Sequence, residues 1–140
     1  MTEDQPIAIV HWRLDAWFPN LSTETQEKLK IYRDELMKAN KLISLISVKT
    51  IFAADAIHFA DSIMACQIIQ EADPAMTEIY DLGSGNGFPG LIYALLFPKV
   101  KVVLVESELK KADYLKRMVD ILALSNVAVR SIALETLPAN

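Results

Sequence analysis

Glycine is scarce in this 140-residue chain, which has four, and cysteine is nearly absent, with one. No apolar run reaches the length that spans a bilayer, so no membrane segment is expected. The N-terminus, Met1-Thr2-Glu3-Asp4-Gln5, is acidic and polar rather than basic then apolar, which is not the pattern of a secretory signal. A single thiol, Cys66, excludes an internal disulfide and fits a reducing cytoplasm. Cys66 lies in an apolar helical run and reads as a packing residue. Basic residues are also short: 14 Lys and Arg stand against 18 Asp and Glu, a net charge of −4. The broad basic footprint of a nucleic-acid binder is therefore missing. Two local clusters remain, one at Lys38 and Lys41, the other at Lys110, Lys111, Lys116 and Arg117, and each reads as a solvated helix face. There is no internal repeat and no low-complexity tract.

What is present suits one domain with a sizeable core, since 52% of the residues are hydrophobic. All four glycines fall in one stretch, Asp81-Leu82-Gly83-Ser84-Gly85-Asn86-Gly87-Phe88-Pro89-Gly90. A chain that avoids glycine elsewhere concentrates it where φ is positive or where backbone approaches something closely. Residues 78–82 before it read as a short strand, and residues 91–97 after it as an apolar helix ended by Pro98. Strand, glycine turn and helix form the nucleotide-cofactor geometry.

The spacing narrows the cofactor. Glycines at 83, 85 and 87 give G-x-G-x-G, whereas the dinucleotide fingerprint needs glycine at 88, where Phe88 stands. That argues against a nicotinamide half-domain and leaves a more open turn, suited to S-adenosylmethionine. An acidic residue should end the next strand to hold ribose hydroxyls. Residues 101–105 read as that strand, and Glu106 ends it, 23 residues after Gly83.

Elsewhere the pattern is mostly helical. Trp12, Trp17 and Phe18 suggest a first helix packed on the domain. Thr23-x-x-Gln26 matches a capping box for a helix over 24–39, with Leu29, Tyr32 and Leu36 facing inward. Thr50 is a plausible N-cap for a helical run over 51–70, broken near His58 to Asp61. A helix over 109–124 should bury Ala112, Leu115, Val119 and Leu122, and 126–130 should form a third strand. The fold class is α/β: a partial Rossmann-like parallel sheet with an N-terminal helical cap. The division is 1–74 for the cap and 75–140 for the β-α-β-α-β first half of the sheet domain. Ile79 to Leu82 should lie mid-sheet and be buried on both faces. Without a further strand beside them they leave an open edge, through which the chain is expected to form a homodimer.

Several segments resemble the RsmG (GidB) family of bacterial small-subunit rRNA methyltransferases. The stretch Asp81 to Gly90 is similar to that family's first motif. His58-Phe59-Ala60-Asp61-Ser62 resembles its H-F-x-D-S segment, Asn40-Lys41 with Leu45-Ile46 its N-K-x-x-N-L-T segment, and Ser107 with Lys110-Lys111 its D-S-x-x-K-K/R pattern. The resemblance implies a class I S-adenosylmethionine methyltransferase fold, in a form lacking the C-terminal half of the domain. It also implies methyl transfer to N7 of a guanine in small-subunit (16S) rRNA, in the cytoplasm. The cofactor residues it implies are Asp81 toward the methionine amine, Gly83, Gly85 and Gly87 under the methionyl part, Phe88 beside it, Glu106 on the ribose, and Ala133 and Leu134 flanking the adenine. His58 and Asp61 stand three apart and could meet near the substrate, or simply pair at a helix start. No metal ligand set and no catalytic triad are assigned, because N7 transfer is mostly alignment. Departures from the family pattern are Ile57 for an arginine, Ser44 for an asparagine, and Ile132 and Leu134 for polar residues. They keep open a second reading, a non-catalytic cofactor-binding or protein-interaction module.

Overall fold

The computed structural model describes residues 10–132. A short helix α1 (Leu14–Trp17) leads into α2 (Thr23–Ala39). A 3-10 turn (Val48–Ala53) and a π-helical turn (Asp55–Ala60) run into α3 (Asp61–Ala72). Then β1 (Glu78–Leu82), α4 (Gly90–Leu96), β2 (Lys101–Val105), α5 (Leu109–Ile121) and β3 (Val127–Arg130) alternate. The three strands form one parallel sheet in the order β1-β2-β3. Glu78 pairs with Lys101 and Leu82 with Val105; Val102 pairs with Val127 and Val105 with Arg130. None of the described helices is long and apolar enough to cross a membrane.

The expected inward stripe of α2 is observed: Leu29, Tyr32 and Leu36 are all buried. Its cap is one residue earlier than expected. Ser22 is extended and its Oγ accepts from Thr25 N at 3.1 Å, so Thr23 is already helical. Ser47, not Thr50, caps the 3-10 turn by accepting from Lys49 N. The expected break in the following helix is the π-helical turn. Its widened backbone sends Asp55 and Phe59 into the interior. There Asp55 receives Arg13 N and Nε at 2.9 Å on one oxygen and Nη2 at 2.8 Å on the other. Burial alone would push the Asp55 pKa up, but the Arg13 hydrogen bonds and charge outweigh it and hold the carboxyl below its usual value.

Helix α4 lies at the centre of the molecule, with Gly90 to Leu95 all buried. It packs on β2 beneath and on α3 and α2 above. Helix α5 ends three residues before the expected point. Ala123 takes φ 52°, and Leu124 N reaches back to Val119 O at 3.0 Å, a Schellman-type stop made without glycine. Along α5 the buried face is Ala112, Tyr114, Leu115 and Met118; Val119 is only partly buried.

The sheet is covered unequally. Val102 and Leu104 point into the core shared with α4 and α5. Tyr80 and Leu82, in register with Val103 and Val105, lie on the opposite face and are 47% and 56% exposed. Burial of β1 on both faces, expected from its apolar run, is thus corrected. Its alternation places Ile79 against the core and leaves the other face open.

Candidate functional site

The glycine turn leaves β1 and enters α4 over the C-terminal ends of β1 and β2. Its first half is tied to β2: Gly83 N and Ser84 N both donate to Val105 O, at 2.8 and 3.1 Å. Ser84 Oγ donates to Asp81 O at 2.8 Å, and Gly87 N closes the turn onto Ser84 O at 2.7 Å. Gly83 and Gly85 both have positive φ, 76° and 46°, a conformation that non-glycine residues adopt at a cost. A Cβ added at Gly83 would meet nothing within 4 Å, and one at Gly85 would stay 3.9 Å from Glu106 Oε1. This half of the turn opens outward.

The second half faces the protein. A Cβ at Gly87 would strike Leu91 and the Tyr32 hydroxyl, and one at Gly90 would strike Leu104 and Asp81. Gly87 was expected under the cofactor's methionyl part. The structure gives its missing side chain to the seat of Tyr32 and Leu91.

Glu106 is buried beneath the open half. Its Oε1 accepts from Gly85 N at 2.7 Å and its Oε2 from Glu108 N at 2.9 Å. An ionised carboxylate offers about four lone-pair sites, so each oxygen retains capacity for one more donor. Asp81 Oδ2 accepts from Gly90 N at 3.1 Å and so ties the end of β1 to the start of α4. Burial raises the Asp81 pKa, against the pull of the Gly90 amide, and the negative charge of Glu106 adds to the rise.

Phe88 points away from the open half, into an aromatic cluster. It stacks on Tyr32 (4.9 Å, 21°) and His58 (5.4 Å, 26°) and meets Phe59 edge-on (4.9 Å). Trp12 adds a further edge contact on Phe59. These rings fasten the helical cap to the glycine turn. His58 does not pair with Asp61: its Nε2 lies 3.1 Å from Thr50 Oγ1, while Asp61 is exposed at the start of α3 without capping it. Burial lowers the His58 pKa, partly offset by the charge of Asp61. Cys66 is buried against Pro89 O, and burial pushes its thiol up to about 12, which suits packing and not nucleophilic work. Ala133 and Leu134 lie outside the described residues.

Sequence reasoning passed over Asn86. Its Nδ2 donates to Leu45 O at 3.1 Å, its Oδ1 accepts from Phe88 N at 3.1 Å, and its carbonyl accepts from the buried Tyr32 hydroxyl at 2.8 Å. An asparagine among glycines signals a turn, and nothing in the sequence announces its partner 41 residues earlier.

The family model described as GidB, rRNA small subunit methyltransferase G, matches residues 25–138. The chain belongs to this family. It is 54% identical over 136 residues to ribosomal RNA small subunit methyltransferase G 3 of Bdellovibrio bacteriovorus, covering 97% of this chain and 62% of that protein. It is 34% identical over 109 residues to ribosomal RNA small subunit methyltransferase G of Mycoplasma mycoides, covering 78% of this chain and 77% of that one. The chain therefore spans less than two thirds of the Bdellovibrio relative. Among solved structures, the N-terminal domain of EvdMO1 in the presence of SAH and D-fucose superposes with a TM-score of 0.55 at 20% identity, over 84% of this chain and 50% of that one. At that identity the likeness bears on the fold alone.

Within this RsmG-family chain none of the departures from the family pattern among the described residues is fully buried. Ile57 is 47% exposed on the outer side of the π-helical turn. Ser44 is exposed in the connector after α2, and Ile132 is partly buried beyond β3.

Proposed function

We propose that this chain forms the cofactor-binding part of an S-adenosylmethionine-dependent methyltransferase acting on N7 of a guanine in small-subunit rRNA. One observation carries the reading: two outward-opening glycines, Gly83 and Gly85, lie over a buried carboxylate, Glu106, which braces the turn and keeps acceptor capacity. When bound, S-adenosylmethionine supplies a methyl carbon on a sulfonium, and the guanine N7 lone pair takes that carbon while the S–C bonding pair returns to sulfur. Glu106 accepts from the ribose hydroxyls. Asp81, at the end of β1, holds the amino group of the methionyl part, and Gly83 lets that part approach the backbone. By the family resemblance Ala133 and Leu134 would serve the adenine. N7 carries no proton to remove, so the chain's task is alignment, not acid–base chemistry.

The substrate reading draws support from the basic residues. The two clusters meet around one cleft of about 370 Å³ between α2 and α5, lined by Lys38, Lys110 and Arg117 together with Glu35 and Asp113. Phosphate contacts there would orient the RNA. A cytoplasmic location accords with that substrate. The open edge of β1 is completed by a second copy of the chain.

The fit to the cofactor is tested by calorimetric titration with S-adenosylhomocysteine and NAD. Binding of the first and not the second is expected; the reverse would sink the assignment. Radiolabelled methyl transfer to small subunits lacking the modification tests activity. Because Ile57, Ile132 and Leu134 are apolar where the family pattern carries polar residues, the chain by itself is expected to turn over poorly. Robust turnover by the isolated chain would exclude the non-catalytic alternative.

A further inference from the structure

We infer that Asn86 is a positioning residue that couples the cofactor turn to the connector between α2 and the 3-10 turn, so that order in one supports ligand affinity in the other. The inference rests on the cofactor reading of the glycine turn.

Three observations carry it. Asn86 sits between the outward-opening Gly85 and the inward-packed Gly87, and both polar atoms of its side chain are used: Nδ2 on Leu45 O, Oδ1 on Phe88 N. The assignment of those two atoms is forced, because exchanging them would face donor with donor and acceptor with acceptor. The connector is itself organised by a second asparagine: Asn40 Oδ1 accepts from Leu45 N at 2.9 Å and Ile46 N at 3.0 Å. Leu45 thus has its amide held by Asn40 and its carbonyl by Asn86. Finally, the Tyr32 hydroxyl donates to Asn86 O from a fully buried ring, fixing the peptide that joins Asn86 to Gly87.

The connector makes no other described side-chain hydrogen bond to the turn, so Asn86 is the polar link between them. The connector also reaches the cleft between α2 and α5, where Leu42 and Ile43 line the wall with Lys38, Lys110, Glu35 and Asp113. One short segment therefore meets the cleft through Leu42 and Ile43 and the cofactor turn through Leu45. Ligand binding that stills the turn should still the connector too.

The experiment is titration with S-adenosylhomocysteine, with hydrogen exchange read at the Leu45 and Ile46 amides, on the full chain, well below its melting temperature. Asn86→Ala and Asn40→Ala are compared with wild type. Asn40 does not touch the turn, so a merely structural role would leave ligand affinity unchanged in that variant. Each variant loses the two hydrogen bonds its side chain makes, and binding should weaken roughly three- to tenfold in each. In wild type the ligand should slow exchange at Leu45 and Ile46; in Asn86→Ala that slowing should vanish while Gly83 to Gly85 still respond. Binding within twofold of wild type in both variants overturns the inference. So does ligand protection of the turn without any at Leu45 and Ile46 in wild type. Wild-type protein that shows no response to the ligand anywhere refutes the cofactor reading itself, and the coupling with it.

Discussion

A methyl group added at Gly87 would lie 2.5 Å from Leu91 Cδ1 and 2.6 Å from Tyr32 Oη, whereas one added at Gly83 would meet nothing within 4 Å. Both residues have positive φ, 91° and 76°. The conformational demand is shared, and the surroundings are not. One half of the turn is glycine because the helical cap lies against it, the other because its outer surface is kept clear. The same contrast runs through the sheet, where Val102 and Leu104 are sealed under helices and Tyr80 and Leu82 stand open. A glycine pattern by itself therefore does not identify a ligand surface; the packing around each position separates fold from function.

The sharpest way to break the contrast is to substitute both positions. Gly87→Ala combines backbone strain with overpacking and should cost about 3 kcal/mol of stability. Gly83→Ala carries backbone strain alone, about 1 kcal/mol. Chemical denaturation reads both. For affinity toward S-adenosylhomocysteine the order should reverse among the folded molecules, with Gly83→Ala the more damaging. Equal stability losses would show that the cap does not rest on Gly87 as described.

Next in size is Glu106→Ala, which removes the acceptor for both Gly85 N and Glu108 N. Binding of S-adenosylhomocysteine should weaken by about 1–3 kcal/mol, the cost of buried groups left unpaired. Asp81→Asn supplies the counterpart on the other side of the turn. The amide oxygen can still accept from Gly90 N, so stability should change little while affinity for the charged amino group falls. An Asp81→Asn protein that binds as wild type would remove that residue from the site.

Strands β1 and β2 were legible at residue resolution because they are short runs bounded by turn signals, and β3 was legible to within one residue. The inner face of α2 was equally plain from the spacing of Leu29, Tyr32 and Leu36. The glycine stretch marked the turn between β1 and α4, and counting forward from it reached Glu106, which the fold joins to Gly85 N. What escaped was long-range or conformational. Arg13 and Asp55 are 42 residues apart and look like ordinary surface charges until the fold joins them. Phe88 reads as a cofactor neighbour because it follows the glycines, yet its ring turns to Tyr32 and His58. Asn86 hides among residues chosen for turn geometry. The stop of α5 at Ala123 breaks the preference for glycine at a left-handed position, so the spacing alone overran it.

Among the described residues no strand pairs with the outer edge of β1, which gives a further prediction, smaller in energy because it concerns association. If a second copy completes the sheet, light scattering should show mass rising with concentration, and Leu82→Lys should suppress the rise by placing a charge on the exposed face. A strictly monomeric species with slow amide exchange from Ile79 to Leu82 would mean that the edge is covered within one chain.

The smallest expected effect lies on the closed side of the turn, at His58. Thr50 has one hydroxyl proton, and it is directed to Ser47 O at 3.0 Å. His58 Nε2, 3.1 Å from Thr50 Oγ1, must then be the donor, with its ring stacked on Phe88. Burial holds the folded-state pKa of His58 below its usual value, and Asp61 only partly counters that. The neutral ring is favoured by folding, so its contribution to stability is complete above the unfolded-state value of 6.5 and is lost as pH falls through 6.5 toward the lower folded-state pKa. Asp81 works in the opposite sense: its raised pKa lets the folded state take up a proton more readily than the unfolded state, which favours folding as pH falls. Comparing wild type with His58→Gln at each pH subtracts the Asp81 contribution, because that group is present in both. Thermal unfolding from pH 7.5 to pH 5 should show wild type losing more stability than His58→Gln. Parallel pH profiles would mean that the stacked ring accepts a proton without penalty, and that the aromatic cluster beneath the turn is wetter than its burial indicates.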